Sequence, residues 1–254
     1  MLEQIRNYAN EIFQEAVAIR RKLHEMPELA FEEHKTAAFI KERLDMWGIP
    51  YQDGVAGTGI VATLENGAGR CVAMRADMDA LPVQEESGCD FASQIEGHMH
   101  ACGHDAHMAI VLGTAYVLSK TKETWQGTVK FLFEPGEEED GGARPMIAEG
   151  VLKQPEVDIC LGIHVMNEID VGSVRLTEGA AMAADDEFDL IIKGKGGHGG
   201  WPQDTVDPIV AACQVVNTLQ TIVSRNADSQ DAAVVSIGSI HGGTTCNVIP
   251  DSVH

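Results

Sequence analysis

The spacing of apolar residues predicts two helices at the start of the chain. Over residues 3–25, apolar side chains recur near a 3.6-residue period, at Ile5, Ile12, Phe13, Ala16, Ile19 and Leu23. Pro27 ends this helix because proline lacks the amide proton that a helix needs. A second helix is predicted over residues 33–47, before Gly48.

Shorter apolar runs predict strands that alternate with helices. Residues 59–76 predict a hairpin of two strands joined at Asn66-Gly67, a dipeptide that favours a tight turn. Residues 107–120 predict an apolar helix with Asp105 as its amino-terminal cap. Residues 127–134 and 157–165 predict two further strands, with a short helix at 145–148 between them.

This order of elements predicts parallel crossover connections and an α/β fold with a mainly parallel sheet. Asp77 and Asp79 follow one predicted strand, and Glu137 and Glu138 follow the next. His164 lies at the end of a third. Sites in open α/β sheets form at the carboxyl ends of strands, so we expect these side chains to converge.

The pattern changes near residue 180, where a second domain is predicted to begin. Residues 186–202 predict a strand and a glycine-rich loop, residues 207–226 an amphipathic helix, and residues 232–254 a strand that runs into a loop. This is the β-α-β start of an α+β domain. The predicted domains are therefore residues 1–180 and 181–254.

Composition and charge narrow the classes of partner. The 254 residues are 44% hydrophobic and 22% charged, which is typical of soluble globular proteins. A formal net charge of −21 argues against nucleic acid and anionic membrane as partners. No signal peptide and no membrane span are predicted. The six cysteines form no CxxC pair and are expected to be reduced thiols in the cytoplasm.

The stretch HMHACGHDAH, residues 98–107, concentrates metal-ligand side chains, and three interpretations stay open. A structural zinc site needs a second cysteine or histidine pair, which the isolated remaining cysteines do not supply. Chance clustering of surface histidines is the second interpretation. The third is one edge of a catalytic centre at Cys102 and His104, since a helix amino end favours thiolate. His107 is expected to pack behind such a site.

The stretch FEPGEEED, residues 133–140, is an acidic run, and such runs are commonly solvated loops. Here it follows a buried strand, so adjacent carboxylates can divide two roles. One coordinates metal, while its neighbour stays free as a base beside water. His164 offers a comparable choice between a buried core histidine and a ligand at the end of its strand.

Six motifs occur in an order and spacing that resemble one family, the dinuclear-metal amidohydrolases and peptidases. They are RADMDALP (75–82), HACGHDAH (100–107), FEPGEEEDGGA (133–143), GIHV (162–165), GGHGGWP (196–202) with DPIVAA (207–212), and GGTTCNVIPD (242–251). KLHEMPELAFEEHKT (22–36) extends the resemblance over the whole chain. The family includes hippurate hydrolase, N-acyl-amino-acid amidohydrolases and plant auxin-conjugate hydrolases.

The resemblance implies a site that binds two divalent metal ions. Its ligands would be Cys102, His104, Glu138 and His164, with Cys102 bridging the ions. A thiolate ligand suits zinc, while carboxylates also permit manganese, cobalt or nickel.

The resemblance also implies the catalytic groups. Glu137 would be the general base for metal-activated water, and Asp79 would orient the ligands from behind. His198 would reach the partner subunit's active site and stabilise the oxyanion, and Asn247 would contact substrate. The usual Gln and Ala of the acidic motif are Glu134 and Gly136 here, and Gln203 replaces a usual histidine.

Together these features imply a cytoplasmic hydrolase that cleaves the amide bond of small-molecule N-acyl amino acids and forms a homodimer at full length. Its fold would be a three-layer catalytic domain and the first part of an inserted, ferredoxin-like lid and dimerisation domain. The resemblance implies a later segment with a further histidine ligand, so we expect a truncated chain. A second hypothesis is an inactive truncated member that at most binds metal or a partner chain.

Overall fold

The computed structural model describes residues 2–139 and 141–254, which divide into two units, Met1–Arg175 and Leu176–His254. The functional division at residue 180 into a catalytic and a lid domain stays a prediction. Within the described ranges, no helix has both the length and the apolar character that a membrane span requires.

A five-stranded sheet forms the centre of the first unit. Its strands are β1 (Tyr51–Val55), β2 (Gly59–Asn66), β3 (Cys71–Asp77), β4 (Gly127–Glu134) and β5 (Ile159–Gly162). The spatial order is β1-β2-β4-β3-β5. β2 runs antiparallel to both of its neighbours, and β3 runs parallel to both of its own. All strands except β2 therefore share one direction, which confirms the predicted mainly parallel α/β sheet.

The predicted hairpin of β2 and β3 is wrong, because β4 lies between these two strands. Asn66 pairs with Gly127, and Cys71 pairs with Thr128, so both strands flank the start of β4. The side-chain amide of Asn66 donates to backbone carbonyls just before β4, at Lys122 and Trp125. Alternation marks a strand but does not specify its partner, and a tight-turn dipeptide does not exclude an inserted strand.

Helices cover both faces of the sheet and complete three layers. On one face lie α1 (Leu2–His24), α2 (His34–Met46) and α3 (His104–Lys120), and on the other lies α4 (Ala143–Ala148). Alternate residues of β2 separate the two cores: Ile60 and Ala62 pack towards α1–α3, while Val61 packs with Met146 of α4. The predicted positions of α1 and α2 are confirmed to within two residues.

The second unit contains two short antiparallel strand pairs and one α-helix. β6 (Ile192–Lys193) pairs with β9 (Ser252–Val253), and β7 (Gly197–His198) pairs with β8 (Val248–Ile249). α5 (Pro208–Thr221) is capped by Asp207, whose side chain accepts from the amide of Ile209 at 2.8 Å. The predicted strand from residue 232 is wrong in position, because regular strands of this segment begin only at Val248, and among the described residues before them only His241 exchanges a pair of backbone hydrogen bonds, with His254. Val234, for example, is exposed and lies in no strand. An alternation of apolar and polar residues does not form a strand unless a neighbouring strand supplies partners for its backbone hydrogen bonds.

Candidate metal centre

The loops that follow β3, β4 and β5 and the start of α3 bring the candidate ligands together. In the sheet, Asp77 lies opposite Glu134, and Arg75 lies opposite both Leu132 and Gly162. The three parallel strands therefore end side by side, as the sequence predicted. The carboxylates that follow β3 and β4 meet His104 within 4 Å.

His104 is oriented by the backbone behind it. Its Nδ1 donates to the backbone carbonyl oxygen of Asp79 at 2.8 Å, so Nε2 keeps a free lone pair. This nitrogen lies 3.6 Å from Oε1 of Glu138 and 3.8 Å from Oε2 of Glu137. Ligand histidines are commonly fixed in this way, through the ring nitrogen that does not bind metal.

Cys102 brings His164 next to the other candidate ligands. The Sγ atom of Cys102 lies 3.3 Å from Nε2 of His164. Nδ1 of His164 donates to the backbone carbonyl oxygen of Val165 at 2.7 Å, which leaves Nε2 directed at the sulfur. Two ligands of one tetrahedral ion, with metal bonds of about 2.3 Å and 2.0 Å, lie roughly 3.5 Å apart. The observed spacing fits such a pair.

The donor set of Cys102, His104 and Glu138 fits a bound cation. One ligand atom from each residue lies within 4.8 Å of the other two. Within the described part of the chain, Nε2 of His104 and Oε1 of Glu138 are buried and have no hydrogen-bond partner. Buried polar atoms without a partner are costly, and a shared cation would satisfy both.

A second group of possible ligands, His24, Glu85 and Cys89, is satisfied without a cation. The two ring nitrogens of His24 contact Asp105 at 2.8 Å and Glu85 at 3.2 Å. Glu85 also accepts from the backbone amide of Ser93 at 2.6 Å. This group is therefore a hydrogen-bond network, unlike the cluster at His104.

Glu137 lies beside the cluster, where it is partly exposed. Its Oε1 is 3.6 Å from Nη2 of Arg75, a residue that also contacts Asp77 and Glu134 at 2.6 Å each. Burial raises the pKa of Glu137 above its ordinary value, although Arg75 and His104 act in the opposite direction. A carboxyl group with a raised pKa is a better proton acceptor at neutral pH than an ordinary one.

The expectation that the helix amino end would favour a Cys102 thiolate is wrong for the residues alone. Burial and the negative charges of Glu138, Asp77 and Glu137 raise the pKa of the Cys102 thiol to about 12. Burial and these charges act against the thiolate, whereas the partial positive charge of the helix end acts for it. A cation bound among the same carboxylates would reverse the balance, because a coordinating thiol is deprotonated.

Asp77 and His107 form a buried support that the sequence only partly indicated. Nδ1 of His107 donates to Asp77 at 2.6 Å, and its Nε2 accepts from the backbone amide of Val165 at 2.9 Å. Burial opposes ionisation of Asp77, yet His107, His104 and Arg75 lower its pKa to about 2. His107 thus packs behind the site and anchors the loop of His164. In the sequence, only the i,i+2 spacing of Arg75 and Asp77, which places both side chains on one face of β3, could have indicated the supporting role of Asp77.

The predicted helix cap at Asp105 is wrong. The residue before α3 is Gly103, with φ of 87°, and no side chain caps the helix there. Asp105 instead lies in the first turn, fully buried, and accepts from Arg20 at 2.7 Å and contacts His24 at 2.8 Å. Helix boundaries deduced from sequence shift by one or two residues, and here the shift changes the role of the side chain.

His198 and Asn247 lie together in the second unit. β7 ends at His198, which pairs with Val248, and the amide of Gly199 donates to the backbone carbonyl of Asn247 at 2.8 Å. Asn247 accepts through its side-chain oxygen from Thr245 at 3.0 Å. The two predicted substrate-contacting residues are therefore neighbours across one strand pair.

The chain belongs to peptidase family M20/M25/M40, whose sequence profile matches residues 73–249. The resemblance deduced from the six motifs is thereby confirmed. In an alignment of 255 positions, the chain is 42% identical to thermostable carboxypeptidase 2 of Saccharolobus solfataricus. The alignment covers 99% of this chain and 64% of that protein. It is 43% identical over 253 residues to an N-acyl-L-amino acid amidohydrolase of Geobacillus stearothermophilus, and this alignment covers 99% of this chain and 68% of that protein.

A solved structure shares the fold. The Bacillus subtilis YXEP protein, described as a dinuclear metal binding peptidase of the M20 family, superposes with a TM-score of 0.72 at 36% identity. The superposition covers 96% of this chain and 63% of that one. The chain thus spans about 64% of the length of the first curated relatives that it matches.

Proposed function

We propose that the protein is a metal-dependent amidohydrolase that cleaves the amide bond of N-acyl amino acids. The observation that carries the proposal is the buried pair of unpartnered ligand atoms, His104 Nε2 and Glu138 Oε1, beside Glu137. Membership of a family with an N-acyl-L-amino acid amidohydrolase and a carboxypeptidase supports this substrate class.

The proposed ligands are Cys102, His104, Glu138 and His164. The complete family fold would hold two divalent ions, zinc or manganese, with cobalt or nickel as alternatives. When bound, the ions would polarise the amide carbonyl and lower the pKa of water. A mixed set of sulfur, nitrogen and carboxylate donors is compatible with each of these metals.

Glu137 is the proposed general base. It accepts the proton of the attacking water and transfers it to the nitrogen of the leaving amino acid, so that a carboxylic acid and an amino acid are formed. The guanidinium group of Arg75 lies 3.6 Å from Oε1 of Glu137 and places a positive charge beside this carboxylate. Asp79 keeps His104 and Glu138 in place, since its Oδ2 accepts from the Glu138 amide at 2.9 Å.

His198 and Asn247 complete the proposal. We assign His198 to oxyanion stabilisation in the partner subunit of a homodimer, and Asn247 to substrate contact. We further propose a cytoplasmic location and small-molecule substrates, with neither nucleic acid nor membrane as a partner. The net charge of −21 supports the last point.

Replacing Glu137 by Gln tests the mechanism. The variant removes the base but keeps the shape of the side chain, so amino-acid release from N-acyl substrates should fall by about 100-fold or more. Metal content, measured by mass spectrometry after dialysis, should stay at the wild-type level because Glu137 is not a proposed ligand. Glu139→Gln is the matched control, since it removes the same charge from an exposed neighbour.

Two outcomes would contradict the proposal. Substantial hydrolysis by Glu137→Gln would exclude Glu137 as the base. Metal binding without any turnover by the unaltered chain would favour the second hypothesis, an inactive chain that at most binds metal or a partner.

A further inference from the structure

Glu33 is a fully buried carboxyl group that the site described above does not use. It precedes α2, at the end of the loop from Met26 to Glu33. Its Oε1 accepts from the backbone amide of Gly136 at 2.8 Å, and its Oε2 accepts from the hydroxyl of Thr58. A residue 103 positions earlier in the chain thus binds the turn that carries Glu137 and Glu138.

Burial of a carboxyl group is costly unless both oxygens are satisfied, and here both are. Burial raises the pKa of Glu33, while the hydrogen bonds from Thr58 and Gly136 favour the ionised form. An apolar side chain could fill this space, but it would leave the Gly136 amide without a partner. The Glu33 carboxylate is therefore the specific hydrogen-bond acceptor of the Gly136 amide.

The turn after β4 has a conformation that needs such support. Gly136 has φ of 62°, in the left-handed region, and the Phe31 ring packs so closely that an added Cβ would lie 2.4 Å from Cε2. Two residues later, the amide of Glu138 donates to Asp79 Oδ2 at 2.9 Å. Glu137 thus lies between two backbone amides that are each held by a buried carboxylate.

The loop from Met26 to Glu33 also contacts the segment that carries Asp79. The backbone carbonyl of Glu28 accepts from the amide of Ala80 at 2.8 Å, next to Asp79. His24, directly before the loop, contacts Asp105 at 2.8 Å, next to His104. Residues 24–33 therefore contact all three segments that carry His104, Asp79 and the Glu137-Glu138 pair.

We infer that Glu33 is a positioning residue that fixes the Gly136 turn, so that Glu138 faces His104 and Glu137 faces the reacting water. The inference rests on the proposed function, which assigns those two roles. Proposed ligands must be held to within about 0.5 Å, and this is the task of residues behind them.

Three variants separate positioning from simple core packing. Glu33→Gln keeps an oxygen for the Gly136 amide and a donor for Thr58, so it should behave as the wild type. Glu33→Leu fills the space but cannot accept a hydrogen bond. Glu33→Asp keeps the charge and shortens the reach by one methylene, and it serves where the Leu variant does not fold. Thr58→Val is the matched control, because it removes only the contact to the other oxygen.

Amide hydrogen exchange of the metal-free chain is the first measurement. Peptides that cover residues 134–139 should exchange faster in Glu33→Leu and Glu33→Asp, because the Gly136 amide loses its acceptor. The same peptides should keep wild-type protection in Glu33→Gln and Thr58→Val. Unchanged exchange in both the Leu and the Asp variant would overturn the inference.

Titration with Co²⁺, followed by cobalt–thiolate absorption and calorimetry well below the unfolding temperature, is the second measurement. The Leu and Asp variants should bind Co²⁺ about 10- to 100-fold more weakly, the usual cost of losing a support behind a ligand. The Gln variant should recover wild-type affinity. A lowered unfolding temperature with unchanged affinity would show a purely structural role and overturn the inference.

The two proposals fail in different ways. If the wild-type chain binds no Co²⁺, the proposed function fails, while hydrogen exchange still decides whether Glu33 holds the turn. If the wild-type chain binds Co²⁺ and the Leu and Asp variants bind it equally well, only the role of Glu33 fails.

Discussion

At the scale of single residues, the hydrogen bonds of each imidazole decide what it can do. In His104 and His164 one ring nitrogen is bound to a backbone carbonyl; the other has no partner among the described residues in His104 and faces the sulfur of Cys102 in His164. In His107 both nitrogens are engaged, so the ring can only support. Burial lowers the pKa of His100 to about 4, which keeps it neutral.

His24 should make the stability of the protein depend on pH. The hydrogen bond to Asp105 raises the pKa of His24 in the folded state, with help from Glu85, while burial and the charge of Arg20 lower it. His100, whose ring centroid lies 6.4 Å away, stays neutral at these pH values. The stabilisation is therefore complete below the unfolded pKa of about 6.5 and is lost as pH rises through the higher folded pKa.

A comparison with His24→Asn isolates this contribution. Near pH 6, urea unfolding of the metal-free proteins should show the wild type more stable by about 1.5–3 kcal/mol, the range for hydrogen bonds to charged groups. The difference should shrink near pH 9. A difference that is constant or grows with pH would refute the role of the charged imidazole.

At the scale of secondary-structure elements, the insertion of β4 between β2 and β3 builds the site. It sets the ends of β4, β3 and β5 next to one another, so that short loops carry ligands to one place. The close packing of the Gly136 turn on Phe31 belongs to the same arrangement. An alanine at this position would place its Cβ 2.4 Å from Cε2 of Phe31, so the ring or the turn would have to shift.

The substitution Gly136→Ala tests the conformation of this turn. A side chain at φ of 62°, with Cβ 2.4 Å from the Phe31 ring, should destabilise the protein by about 1–3 kcal/mol. Part of the loss should disappear in a Phe31→Leu background, where the clash is smaller. Unfolding free energies of the four proteins form a double-mutant cycle. Strictly additive effects would show that Phe31 does not press on this turn.

At the scale of the whole molecule, the proposed chemistry is divided between two units. All four proposed ligands and Glu137 lie in Met1–Arg175, whereas His198 and Asn247 lie in Leu176–His254. The first unit therefore contains the entire donor set with unpartnered atoms. Metal binding and substrate contact should consequently respond to substitutions in different units.

Added metal should stabilise the folded chain by mass action. At a free Zn²⁺ or Mn²⁺ concentration about 100 times the dissociation constant, the gain is about 2.7 kcal/mol. Thermal unfolding should shift upwards on addition of metal and return on addition of EDTA. The same shift should be much smaller in Cys102→Ser, because serine is a poorer ligand for these ions. Equal shifts in both proteins would place the bound metal elsewhere.

The sequence by itself determined the α/β class, the strands that end in carboxylates, and the convergence of the stretches around Asp79, Glu137 and His164. Periodicity and strand direction suffice for these, because parallel strands end at one edge. Only the tertiary structure decided the partner of β2, the role of Asp105 and the contact of Glu33 with Gly136. Each depends on which distant segments pack together, and the local pattern of apolar and polar residues does not specify such contacts. The fit to a cation was likewise visible only in three dimensions, since unpartnered buried atoms have no signature in sequence.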